Sequence, residues 1–88
     1  MKHLSAIDEI DQTDTQTIVA RVAGRVIRVT AVYDLRASNF HARYYERGEA
    51  ALDGRIYEIW HPLDYPDAYG TSISDCLRMA LGFVSVTK

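Results

Sequence analysis

The chain has 88 residues, 48% hydrophobic and 25% charged, with a net charge of −2 and a single cysteine. That length makes one domain with a small core, that apolar fraction rules out disorder, and one cysteine closes no internal disulfide. No apolar run of about 18 residues spans a membrane, and the N-terminal "MKHLSAIDEID" has no apolar stretch of the signal-peptide kind, which together point to the cytoplasm.

The charge is segregated. Residues 1–16 carry one Lys against four acids, residues 17–47 six Arg against two acids, and residues 48–88 three basic groups against six acids. The cationic character lies in the middle third and is all Arg, the side chain that contacts carboxylates and phosphates through two parallel hydrogen bonds.

In chain order, Leu4, Ile7 and Ile10 are spaced by three, and Ser5 precedes Asp8 and Glu9. This predicts a short N-terminal helix with a capping Ser and acids at its positive end. "DQTDTQT" reads as a polar linker, so residues 1–16 are expected to be weakly structured within a single domain of residues 1–88.

"TIVARVAGRVIRVTAVYD" alternates and is rich in β-branched residues, with Ala23-Gly24 at its centre. It predicts a hairpin in which Ile18 faces Val29 and Ala20 faces Ile27. One face then holds Ile18, Ala20, Val22, Ile27, Val29, Ala31 and Tyr33, and is core. The other holds Thr17, Val19, Arg21, Val26, Arg28 and Thr30, and meets water or a partner. A slip of one residue would mix the two sets.

After a turn at "DLRASN", "FHARYYER" alternates with Phe40, Ala42 and Tyr44 inward and His41, Arg43, Tyr45 and Arg47 outward. "GEAALDG" reads as a loop. "RIYEIW" is a fourth strand whose facing is open, since Ile56, Glu58 and Trp60 share one side and Tyr57 and Ile59 the other. The stretch "WHPLDYPDAYG" holds both prolines and reads as a structured connector, with Trp60 in the core and Tyr65 and Tyr69 on its rim.

In "TSISDCLRMALGFVSVTK", Ile73, Cys76, Leu77, Ala80, Leu81 and Val84 follow helical spacing, and Ser72 with Asp75 caps the start. The expected fold is α+β: a four-stranded antiparallel sheet with one face covered by a C-terminal helix, the other face open.

Several chemistries are excluded. Cys76 falls on the apolar stripe and behaves as a small hydrophobe. There is no Gly-x-Ser-x-Gly elbow and no glycine-rich phosphate loop. His3, His41 and His61 lack metal-ligand spacing, and His61, Asp64 and Asp67 lie in a segment that two prolines keep from being helical. Paired acids such as Glu46 and Glu49 have nothing that places them across a cleft. The reading is therefore a non-enzyme with no catalytic residue, no metal and no cofactor.

What remains is binding. Tyr, Trp and Arg dominate binding hot spots, and the open face gathers Arg21, Arg28, His41, Arg43, Tyr45 and Arg47, with Tyr65 and Tyr69 as a secondary rim. The expected partner is a larger protein or protein complex, with a second copy of the chain as a further candidate. Nucleic acid is the alternative partner of the same face, against which stand a pI of 5.8 and acidic flanks.

The order "YEIWHP…DYPDAYGTSISDCLRMA" resembles the HicB-type antitoxins over roughly a third of the chain. There a strand leads through a Pro/Asp loop and a Gly to a capped helix, parts for which Pro66, Asp67, Gly70, Ser72, Asp75 and Ala80 stand here. The separate DNA-binding segment usual in that family has no counterpart after the helix. The resemblance implies a non-enzymatic inhibitor. Small inhibitors of phages and mobile elements, anti-CRISPR proteins included, are similar in size and simplicity. The expected function is an inhibitor or regulator that occludes a surface of a larger complex.

Overall fold

The computed structural model describes residues 7–12 and 14–86. Six strands and one helix follow in order: β1 Ile7–Gln12, β2 Thr17–Val22, β3 Arg25–Asp34, β4 Asn39–Leu52, β5 Arg55–Leu63, β6 Tyr69–Gly70 and α1 Ile73–Ser85. β1 to β5 form an antiparallel meander, and β6 pairs with the start of β4.

The β2–β3 hairpin takes the register its sequence predicts, Ile18 opposite Val29 and Ala20 opposite Ile27. Ala23 and Gly24 both have positive φ, 51° and 79°, as a two-residue turn matching the twist of the strands requires. The ladder runs one pair further, since Gln16 and Ala31 are joined by a backbone bond from the Ala31 amide to the Gln16 carbonyl, 2.8 Å.

The sheet is wider than the four strands expected. Ile7–Gln12 is an edge strand and not a helix; Leu4 and Ser5 lie outside the described residues. The cause is a bulge between Ile7 and Glu9. The extra residue lets Ile7 and Ile10, three apart, sit opposite Val22 and Ala20 on the core side, so a bulged strand imitates helical spacing. Within the supposed linker, the Asp14 carboxylate accepts from the Gln16 amide at 2.8 Å, which makes a tight turn from β1 into β2.

The "GEAALDG" segment is likewise strand. β4 continues to Leu52 and turns at Asp53-Gly54, with φ of 51° and 75°. β3 pairs with β4 only as far as Ile27–Glu46, so the pairs from Arg47–Trp60 to Leu52–Arg55 project as a two-stranded ribbon.

α1 is capped by Ser72, whose hydroxyl accepts from the Asp75 amide at 3.1 Å. It lays Cys76, Leu77, Ala80 and Val84 against Ile18, Ala20, Val22, Ile27, Val29, Ala31 and Tyr44. It packs on β2, β3 and β4. A helix is roughly 10 Å across and strands repeat every ~4.8 Å, so one helix cannot roof five strands. The helix-side residues Ile10 and Tyr57 on the two outer strands remain 49% and 43% exposed, and a groove of ≈ 620 Å³ runs between β1 and α1. Tyr33, expected on the core face, pairs with Phe40 near the end of the β3–β4 ladder. It is half exposed and packs edge-on against Phe40 at 5.1 Å.

The connector "WHPLDYPDAYG" is a detour along one edge. Leu63 pairs with Tyr44, and Tyr69 pairs with His41. Three extra residues are thereby accommodated before the chain resumes the same edge of β4. The detour is fastened from beneath. The Tyr44 hydroxyl donates to the Pro66 carbonyl at 3.2 Å, the Ala42 amide to the Ala68 carbonyl at 2.9 Å, and Ala68 is fully buried. Gly70 then passes so close to α1 that a Cβ there would stand 2.7 Å from the Cys76 nitrogen.

Candidate functional site: the open sheet face

Cross-strand partners share a face, so the register places each side chain. On the face away from α1, Arg28 stands opposite Val19 on one side and Tyr45 on the other, and Tyr45 stands opposite Pro62. Arg43 is opposite Thr30, His41 opposite Val32, and Arg47 opposite Trp60. Arg21 is opposite Val26 and Glu9. The expected residues Arg21, Arg28, His41, Arg43, Tyr45 and Arg47 are therefore brought to one face. Tyr69 joins it at the edge, its ring 6.0 Å from that of His41. Tyr65 does not: it turns to the helix side and packs on Tyr44 with ring centroids 4.8 Å apart.

The centre of the face is an arginine over two aromatic rings. The Arg28 guanidinium carbon lies 4.4 Å from the Trp60 ring centroid and 4.9 Å from that of Tyr45. All three residues are half-buried. The Arg28 Nε is shut from solvent without a hydrogen-bond partner among the described residues. Cation–π contacts contribute roughly 0.5–2 kcal/mol each, more as they lose water.

The sequence reading puts Trp60 in the core, and the structure corrects this. It belongs to the open face with Ile56 and Glu58, and it is the residue of the centre that the sequence did not select. The alternation of β5 holds the signal: once Leu63 is seen to pair with the buried Tyr44, parity sends Trp60 to the other side.

Around this centre the charges are compensated. Arg21 Nε pairs with Glu9 at 3.0 Å, and Arg47 with Glu58 at 3.3 Å. The register puts Glu9, Asp11, Asp34, Glu49 and Glu58 on the face with Arg21, Arg28, Arg43 and Arg47. The cationic surface read from the composition is thus an alternating one. Among the described residues Arg43 has no ion pair, and it is exposed. His41 Nδ1 donates to Asp67 at 3.0 Å, while its Nε2 is buried and lies 3.9 Å from Asp34. These contacts tie the detour loop to the sheet.

His61, Asp64 and Asp67 do not assemble. Asp67 is taken by His41, and the His61 ring lies against Gly48 on the helix side. Among the described residues no cluster of three or more metal-ligating side chains occurs. Cys76 is buried beneath the helix, and burial raises its thiol pKa. Burial likewise raises the Tyr44 phenol pKa. On the helix side, Arg25 grips Glu46 through two bonds of 2.9 and 2.8 Å, which lowers the pKa of the Glu46 carboxyl.

The fold is thus a small antiparallel sheet with one helix on one face, and the candidate site is the face the helix leaves bare. No helix among the described residues is long and apolar enough to cross a membrane. Compared with known protein families, curated proteins and solved structures, the chain matches none. The partial likeness of residues 57–80 to HicB-type antitoxins therefore has no family match behind it.

Proposed function

We propose that this protein is a non-enzymatic protein-binding module that acts through its open sheet face, as an inhibitor or regulator occluding a surface of a larger protein or complex. The observation that carries this reading is the Arg28–Tyr45–Trp60 stack. Tyr, Trp and Arg are the residue types that supply most of the energy of protein interfaces, as a central cluster inside a ring of weaker contacts. Here the ring is the set of compensated pairs, Arg21–Glu9 and Arg47–Glu58. An alternating rim suits another protein's mixed surface and gives register to the contact. A polyphosphate backbone would meet as many carboxylates as arginines, and this disfavours nucleic acid as the partner.

The test compares the wild-type chain with the Tyr45→Ala and Trp60→Ala variants as affinity baits in native lysate, with quantitative mass spectrometry. A protein retained by the wild type and lost from both folded variants supports the reading. Identical recovery by all three baits overturns it, as does retention on a DNA or RNA column with a steep salt dependence.

A further inference from the structure

We propose that two copies of this chain pair antiparallel through the outer edges of β5, making one continuous sheet of β1–β5 from each copy. Asp53-Gly54 is a two-residue turn, so Leu52 and Arg55 close it as a hydrogen-bonded pair. Parity then aims the backbone groups of Arg55, Tyr57, Ile59 and His61 at β4, and those of Ile56, Glu58 and Trp60 outward. Pro62 falls in the outward set, where its missing N–H takes nothing from the β4 ladder. Among the described residues nothing pairs with this edge, so it is a clean template over Ile56 to Trp60.

The two outer edges of the sheet differ in how they are guarded. β1 is six residues long and carries Glu9 and Asp11, the short charged form that repels further pairing. β5 is nine residues long, with one Arg and one Glu. Arg55, Ile56, Tyr57 and Glu58 are all exposed, Ile56 at 70%. β5 carries no net charge, and in a two-fold seam each Glu58 keeps its own Arg47 beside it. The ribbon beyond Glu46 gives a second reason. A lone two-stranded ribbon is marginal in water, and a second copy supplies its third and fourth strands.

With Glu58 on the two-fold axis, Ile56 stands opposite the partner's Trp60, and Tyr57 opposite the partner's Ile59. Six hydrogen bonds form along the seam. Each Glu58 arrives already held by its own Arg47. The axis is normal to the sheet, so both open faces look the same way. This inference does not rest on the open face binding anything, and its failure leaves the proposed function standing.

The test is the molar mass of the full chain by light scattering across a concentration series. The wild type is expected at twice its 10.0 kDa mass, and Ile56→Pro, which blocks only an outward N–H, at the single mass with an unchanged circular dichroism spectrum. Should Ile56→Pro fail to fold, Tyr57→Glu is the substitute, and it should raise the dissociation constant by roughly tenfold or more. Glu58→Cys should cross-link to a dimer under mild oxidation, with the buried Cys76 taking no part. A wild type at single mass up to about millimolar concentration overturns the proposal. So does a dimer that survives both β5 substitutions, or one in which Glu58→Cys fails to cross-link.

Discussion

Arg28 lies over the ring of Trp60, its guanidinium carbon 4.4 Å from the centroid. Trp60 is the only tryptophan of the chain, so its fluorescence reports this contact without labelling. Arg28→Ala should uncover the ring and shift its emission to the red. It should also cost about 1 kcal/mol of stability, read by urea unfolding. An unshifted spectrum would show that the stack does not persist in solution.

A second expectation concerns acid. Arg25 lowers the pKa of Glu46 in the folded chain. A carboxylate so lowered stabilises the fold above its unfolded pKa, and the contribution disappears as pH falls through the folded one. The two side chains are about 30% exposed, so the pair contributes modestly, about 0.5–1 kcal/mol. Glu46→Gln should therefore be less stable than wild type at neutral pH, and the difference should shrink as pH falls. Urea midpoints of both chains at pH 7 and pH 3 measure this.

Two glycines should respond in opposite senses. At Gly70 a Cβ would meet the Cys76 nitrogen at 2.7 Å and the Asp75 Cβ at 2.8 Å. Both belong to the first turn of α1, so the clash cannot be relieved by a rotamer, and Gly70→Ala should destabilise by about 1–3 kcal/mol. At Gly82, inside α1, a Cβ meets nothing within 4 Å, and Gly82→Ala should stabilise by about 0.5–1 kcal/mol. Thermal unfolding of the two variants gives both signs in one experiment.

Cys76 should be chemically silent while the chain is folded. Its side chain is fully buried, its Sγ lies 3.7 Å from the Ala68 carbonyl, and burial raises its thiol pKa. Its reaction with a thiol reagent should be slower than in the unfolded chain by roughly a hundredfold or more, and should become complete on adding denaturant.

The sequence was most legible where turn chemistry and alternation agree. Ala23-Gly24 and the β-branched residues on either side define the β2–β3 register pair by pair, and the apolar spacing from Ile73 to Val84 defines the buried stripe of α1. It misled where a strand departs from strict alternation. The bulge before Glu9 turned β1 into a false helix. The three-residue detour after Leu63 hid β6 and left β5 without a reference for its two sides, so Trp60 was placed in the core. The candidate face was visible as a set of arginines. Their carboxylate partners were not, because Glu9 and Glu58 reach Arg21 and Arg47 only through pairing between strands.

The compensated rim has a kinetic meaning. Long-range attraction needs a net field, and four arginines among five carboxylates on one face nearly cancel beyond a Debye length of roughly 8–10 Å. On the proposed function, a partner would be found by unassisted diffusion, with an association rate in the ordinary range of about 10⁵–10⁷ M⁻¹s⁻¹ and little response to salt. Selectivity would then be exercised only after contact, by how long the partner stayed on the Arg28–Tyr45–Trp60 centre.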